Sequence, residues 1–231
     1  MDHIRLSPRL QMVADFVPPC ACAADIGTDH GYLPVWLLQS GVIQSAIAAD
    51  IHAGPLANAR QSAAAYDLEE RFRFVQADGL QFSGAQAADV ITIAGMGGET
   101  ICTILAAAPW LRQGKRLVLQ PQSKVPELAD WLWHNGFTIE DAALCRDAGK
   151  RYLALRVLGR VAAQSCTVEQ LLLRHRDPLL PEHLKEEIRR QKRARAGMAH
   201  AKQTPEAALA ALDARLSELE TCLKEVQTWQ S

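Results

Sequence analysis

Ala21-Cys22-Ala23-Ala24-Asp25-Ile26-Gly27-Thr28-Asp29-His30-Gly31-Tyr32 is the stretch that decides the fold. Its first six residues are an apolar run of strand length, its middle is acidic and glycine-rich, and a helical pattern follows. A strand that opens in this way into a turn and then a helix is the element that carries the ligand site of a doubly wound sheet, beyond the strand's carboxyl end.

Working outward, six further runs read as strands: Ser45–Ile51, Phe72–Ala77, Asp89–Ala94, Lys115–Gln120, Phe137–Leu144 and Tyr152–Leu158. Helix-length segments separate the first five strands, so those should be parallel and joined by right-handed crossovers. The last two are separated only by Cys145 to Arg151, which contains Gly149 and is too short for a crossover helix. They should form an antiparallel hairpin. Seven strands ending in a hairpin predict an α/β fold with a doubly wound, Rossmann-like class I methyltransferase sheet rather than a dinucleotide-binding one. A short amphipathic helix built on Leu6, Leu10, Val13 and Phe16–Val17 should precede it.

Beyond Gly159 the composition turns to Leu, Ala, Arg, Lys and Glu, and strand patterns cease. Leu209, Leu212, Leu216, Leu219, Leu223 and Val226 alternate steps of three and four, as a coiled-coil seam does. Thr204 suits the N-cap of that helix and Pro205 its first position. A preceding helix from about Glu182 to Lys202 can offer Leu184, Ile188 and Met198 as the facing stripe. The expected organisation is a catalytic domain over residues 1–160 and, over 161–231, an antiparallel helical hairpin.

The whole-chain balance excludes little. In 231 residues the formal net charge is −1, so any basic surface must be local. No stretch approaches the roughly 20 apolar residues that span a bilayer, and the first nine residues carry charges and a proline, so a cytoplasmic protein without membrane contact is expected. The six cysteines are scattered, and the closest pair is C-A-C rather than C-x-x-C, which points to reduced, mostly buried thiols and to no metal site.

The chemistry lies at the strand ends. The first turn resembles the glycine-rich fingerprint but lacks G-x-G-x-x-G, and Asp25 and Asp29 would repel a pyrophosphate by about 4 kcal/mol per charge pair at 4 Å and an effective dielectric near 20. S-adenosylmethionine, by contrast, carries an ammonium and a sulfonium and no phosphate. Asp50 ends the second strand at about the spacing at which an acid grips ribose hydroxyls, and Asp78-Gly79 ends the third, where an acid can accept from an adenine amino group. Each acid alone has an ordinary reading as a cap or turn residue. Their succession over three strands predicts that Asp25, Gly27, Thr28, Gly31, Asp50, Ile51, Asp78, Gly79, Ala94, Gly95 and Met96 hold S-adenosyl-L-methionine. The fourth strand runs into Gly95-Met96-Gly97-Gly98, which offers room for a flat ring but no side-chain clamp for an exocyclic amine.

Several stretches together carry a family resemblance: Leu6-Ser7-x-Arg9-Leu10, DIGTDHGYLP over Asp25–Pro34, Asp50 with Gly54-Pro55-Leu56, Asp78-Gly79-Leu80, IAGMGG over Ile93–Gly98, Leu119-Gln120-Pro121 and Gly149-Lys150-x-Tyr152. Through these the chain resembles the bacterial tRNA adenine-22 N1-methyltransferases from about Leu6 to Val157. Gln122 departs from the asparagine usual there, Ala129 from an arginine, and Asp177-Pro178 from Gly-Pro.

The resemblance implies methyl transfer to ring nitrogen N1 of an adenine in tRNA. That nitrogen already has a lone pair and needs no general base, so catalysis can rest on positioning and electrostatics. Asp29 is expected to favour the cationic product, with His30 and Tyr32 bonding to or stacking on the flipped base. Gly97, Gly98, Asn58 and Gln120 are expected on the substrate side, the last two near the rim. Arg146, Lys150, Arg151, Arg189, Arg190 and Arg193 are expected to follow tRNA phosphates, with Arg156 assisting. Between Glu182 and Lys202 seven Lys/Arg face three Glu, while 204–231 has two against five. The two helices can therefore simply pair their charges, or leave a basic flank for RNA. A monomer is expected, with a dimer open through the hairpin. A methyltransferase of another RNA or of a small molecule, and a non-catalytic RNA-binding module, remain as alternatives.

Overall fold

The computed structural model describes residues 3–161, 166–199 and 206–230, and Thr204 and Pro205, expected to start the last helix, lie outside them. The chain divides into two compact units, Met1–Ser165 and Cys166–Ser231.

The first unit contains seven strands, β1 (Cys20–Ile26), β2 (Ile43–Asp50), β3 (Phe72–Gln76), β4 (Val90–Gly97), β5 (Arg116–Ser123), β6 (Thr138–Asp147) and β7 (Lys150–Leu158). They form one sheet in the order β3-β2-β1-β4-β5-β7-β6. Pairings among β1 to β5 are parallel, and β7 runs antiparallel to both β5 and β6. All seven expected strands are present. The hairpin closes through Ala148 and Gly149 alone, both at positive φ, with Asp147 opposite Lys150, which is the two-residue turn that matches strand twist.

Helices α1 (Pro8–Asp15), α2 (Tyr32–Gln39), α3 (Ala53–Ala65), α4 (Gly98–Ala106) and α5 (Val125–His134) flank the sheet. Alternation along the strands divides the core. Val90 and Val118 join Val13 of α1 and Val35 and Leu38 of α2 in one cluster. Ile91, Ile93, Leu117 and Leu119 point to the opposite face, where α4 packs on β4 and β5. All these residues are essentially water-free, at roughly 1.5–3 kcal/mol of transfer free energy for each large side chain.

The second unit is helical, with α6 (Val168–Arg174), α7 (Leu180–Ala199) and α8 (Glu206–Gln227). Thr167 and Gln170 form a reciprocal capping box at the start of α6. Lys192 pairs with Glu220 at 2.8 Å and Arg195 with Asp213, so positions descend along α7 as they ascend along α8 and the hairpin is antiparallel. Leu184, Ile188, Leu216, Leu219 and Val226 are buried, while Leu209, Leu212 and Leu223 are half-buried. Met198, expected in the facing stripe, is instead 38% exposed, because it lies in the last turn of α7.

The most enclosed charge of this unit is Glu169, which accepts from Arg215 Nη2 at 2.6 Å and has His183 Nε2 at 3.8 Å. Burial alone would raise its carboxyl, but His183 and Arg215 outweigh burial and hold it at about 2. No disulfide links the six cysteines among the described residues, and all six are half-buried rather than buried as expected.

Candidate functional site

At the end of β1 the chain turns through Gly27 to Gly31 before α2 begins. Gly27 and Thr28 both donate to the carbonyl of Ala49, at 2.8 and 3.2 Å, which ties the turn to the end of β2. Beside it opens a cavity of about 440 Å³, within the range of small-molecule sites. Four strand ends line it: Ile26 and Gly27 at the end of β1, Asp50 and Ile51 at the end of β2, Ala77, Asp78 and Gly79 after β3, and Met96 of β4. The remaining wall is α4, through Glu99, Thr100, Thr103 and Ile104. Among the described residues three carboxylates line this cavity and no lysine or arginine does; Lys124 Nζ stands 3.9 Å from Glu99 Oε1, outside the lining.

Six of the expected cofactor residues therefore meet on one surface: Gly27, Asp50, Ile51, Asp78, Gly79 and Met96. Gly27 has φ +79°, a conformation that strains any residue with a side chain, and a Cβ built on it would also have to displace the end of the Met96 side chain. Asp50 is nearly enclosed; its Oδ1 accepts the His52 amide at 2.8 Å, and His52 Nδ1 lies 3.5 Å away.

The other expected cofactor residues lie elsewhere. Asp25 does not line the cavity. It is buried beneath the turn and accepts from Thr92 Oγ1 at 2.7 Å. Burial pushes its carboxyl up, opposed by the Thr92 hydroxyl. A cation arriving above it would draw the carboxyl back towards its charged form. Thr28 is buried in the turn, and Gly31 is the left-handed cap of α2, packed on Ala59. Ala94 and Gly95 lie in β4, where Ala94 pairs with Gln120.

β4 does not end at Ala94, as its apolar pattern suggested. It continues to Gly97 with register shifts at Met96 and Gly97, because Gly95, at positive φ, lets the strand skip a residue and Met96 and Gly97 resume pairing with β5. Gly98 then starts α4, close against the carbonyls of Ser123 and Lys124.

Asp29, His30 and Tyr32 form an exposed group on the same turn. Asp29 has φ +31° and a side chain 75% exposed, and its Oδ1 is 3.7 Å from His30 Nε2. The rings of His30 and Tyr32 stack at 5.2 Å between centroids and 17° between planes. Asn58 is half-buried on α3. Gln120, expected near the rim, is fully buried, because its amide is committed to three partners: Arg9, the Gly95 amide and the Pro121 carbonyl.

Arg146, Lys150 and Arg151 lie on the β6–β7 hairpin, where Arg146 faces Arg151 across the pair. Arg156 is engaged by Asp141 at 3.0 Å and Glu140 at 3.9 Å. On α7, Arg190 pairs with Glu187 at 2.6 Å, whereas Arg189 and Arg193 are exposed and make no ion pair among the described residues.

Sequence reasoning missed the α4 wall. Its signal was present: Thr100, Thr103 and Ile104 stand at the i, i+3, i+4 spacing of one helix face, directly after the strand that carries Met96.

A parallel sheet completed by an antiparallel β7 between β5 and β6, with an acid-lined cavity at its strand ends, defines a methyltransferase of the doubly wound class. The methyltransferase-domain family model matches residues 6–155. The chain is 38% identical over 156 residues to the tRNA (adenine(22)-N(1))-methyltransferase of Bacillus subtilis (strain 168), covering 67% of this chain and 66% of that protein, about two thirds of its length. Among solved structures, the M1A22 tRNA methyltransferase of B. subtilis superposes with a TM-score of 0.81 at 28% identity, covering 96% of this chain and all of that one. A Streptococcus pneumoniae protein assigned as a tRNA (m1A22) methyltransferase, solved with S-adenosyl-L-methionine, gives 0.77 at 30% identity, covering 95% of this chain and all of that one. The chain belongs to the tRNA (adenine-22 N1)-methyltransferase family.

Proposed function

We propose that this chain methylates ring nitrogen N1 of adenine 22 in tRNA, using S-adenosyl-L-methionine. The observation that carries the reading is the lining of the cavity: Asp50, Asp78 and Glu99 with no basic side chain, around a bare Gly27. That set suits a cationic, phosphate-free nucleoside and disfavours a dinucleotide. When bound, S-adenosylmethionine supplies a methyl group on a positively charged sulfur.

The chain's own residues then position and polarise. Asp50 holds ribose hydroxyls, Asp78 accepts from the adenine amino group, and Gly27 with Met96 lets the methionine portion lie against the backbone. Asp25, one layer below, adds negative charge under the cationic end. Asp29 stabilises the positive charge that develops on the target base, and the His30–Tyr32 stack offers that base an aromatic surface. No side chain needs to remove a proton, because N1 attacks with a free lone pair.

We assign residues 1–160 to catalysis and residues 161–231 to tRNA contact, with Arg189 and Arg193 the available cations of α7. The hairpin fills its own seam with Leu184, Ile188, Leu216 and Leu219, which supports a monomer. Its place of action is the cytoplasm. Incubation of unmodified tRNA with enzyme and cofactor, followed by nuclease mapping and mass spectrometry, should find one added methyl at adenine 22. Methylation at another position, or of none, would overturn the assignment.

A further inference from the structure

One motif of the sequence has no part in the site described above: Leu6-Ser7-Pro8-Arg9-Leu10. Four of its residues build α1. The Ser7 hydroxyl accepts the Leu10 amide at the N-cap, Pro8 opens the helix, and Leu6 and Leu10 pack against the core. Arg9 is left over from that structural account.

Arg9 is half-buried, and Nη1 donates to Gln120 Oε1 at 2.9 Å. The same oxygen accepts the Gly95 amide at 3.2 Å, while Gln120 Nε2 donates to the Pro121 carbonyl at 3.0 Å. A fully buried amide thus fixes the guanidinium and the turn of β4 in one arrangement. The guanidinium stands 5.7 Å from the centre of the Tyr152 ring. Gly95 has φ +81°, and a Cβ there would lie 3.5 Å from Arg9 Nη1 and 3.7 Å from Gln122 Nε2. The fork therefore lies over bare backbone, one residue from Met96, which lines the cavity.

No carboxylate pairs with this guanidinium among the described residues; Asp147, the nearby acid, accepts the backbone amide of Arg9 instead, at 3.4 Å. Four of its five N–H groups remain for another partner. A half-buried cation without a counter-charge is costly unless a ligand brings one. That partner is not the reacting base, whose developing positive charge the guanidinium would oppose.

We propose that Arg9 is an oxyanion receptor at the β4 turn, oriented by Gln120. The inference rests on the methyltransferase reading above, in which two oxyanions reach this place: the carboxylate of S-adenosylmethionine and a phosphate flanking the target adenosine.

Arg9→Gln and Arg9→Lys distinguish the sources, with thermal unfolding confirming that both fold. If the partner is the carboxylate, Arg9→Gln weakens S-adenosylmethionine in calorimetry by about 10- to 100-fold, while decarboxylated S-adenosylmethionine binds the variant and the wild type alike. If it is the phosphate, cofactor affinity is unchanged, the KM for tRNA rises by a similar factor, and the slope of log affinity against log salt flattens by about 0.7–0.9. In either case Arg9→Lys, which keeps the charge without the fork, recovers part of the loss. Unchanged cofactor affinity, KM and salt slope in Arg9→Gln would overturn the proposal. A wild type that methylates no tRNA would instead overturn the function, and the calorimetric comparison would still be readable.

Discussion

The cavity of the first unit and the helices of the second use carboxylates in opposite ways. In the first, Asp50 and Asp78 face a cavity that no lysine or arginine lines among the described residues, and only Glu99, on its far wall, has a cation nearby, Lys124 Nζ at 3.9 Å. In the second, Glu169 is enclosed with Arg215 and His183, Asp213 is matched by Arg195, and Glu220 by Lys192. Negative charge matched inside the chain holds a fold together; negative charge kept facing a void is available to a ligand.

The sharpest way to break this contrast is Gly27→Val. A side chain at φ +79°, driven into Met96, should reduce S-adenosylmethionine affinity in calorimetry by about 100-fold or more. The second unit should unfold as before.

Glu169→Gln tests the other side. It leaves Arg215 with only the exposed Glu218, at 3.3 Å, and removes the carboxylate beside His183, and should destabilise the helical unit by about 3 kcal/mol in denaturant melts followed by circular dichroism, with cofactor affinity unchanged. The pH dependence has a definite sign. Because the folded-state carboxyl lies at about 2, below its ordinary 4.5, its contribution is fully present above pH 4.5 and is lost as pH falls towards 2. Glu169→Gln should remove that acid dependence.

Asp50→Asn keeps size and removes charge. It should weaken cofactor binding about 10- to 100-fold, seen as a raised KM for S-adenosylmethionine, and leave thermal unfolding unchanged. The smallest effect belongs to Arg195→Ala, since its pair with Asp213 is exposed; no measurable change in the unfolding midpoint is expected.

The strands were legible because each is a short apolar run between polar turns, and the hairpin because the connection from Cys145 to Arg151 is too short for a crossover helix. Asp50 and Asp78 were legible because they stand at the ends of those runs, whereas Glu99 was missed with the rest of the α4 wall. What escaped has physical reasons. β4 runs three residues beyond its apolar pattern because backbone pairing does not require side chains, and Gln120 is buried because its partners are distant in sequence. Asp25 has the sequence context of a ligand-facing acid, yet the strand's alternation turns it inward to Thr92. The separate helix α6 was too short to stand out from the helical composition around it.

The place of β7 has a consequence for the birth of the protein. β5 pairs with β4 as soon as both have been made, but its other edge waits for residues as late as Leu158, and β6, made in between, cannot fill the gap because its only sheet neighbour is β7. At a translation rate of about 5–20 residues per second, β5 holds an open, apolar edge for roughly 2–7 s on the ribosome. Nascent chains stalled before β7 should therefore be the aggregation-prone species, although the acid-bearing ends of β1 to β4 have already been synthesised.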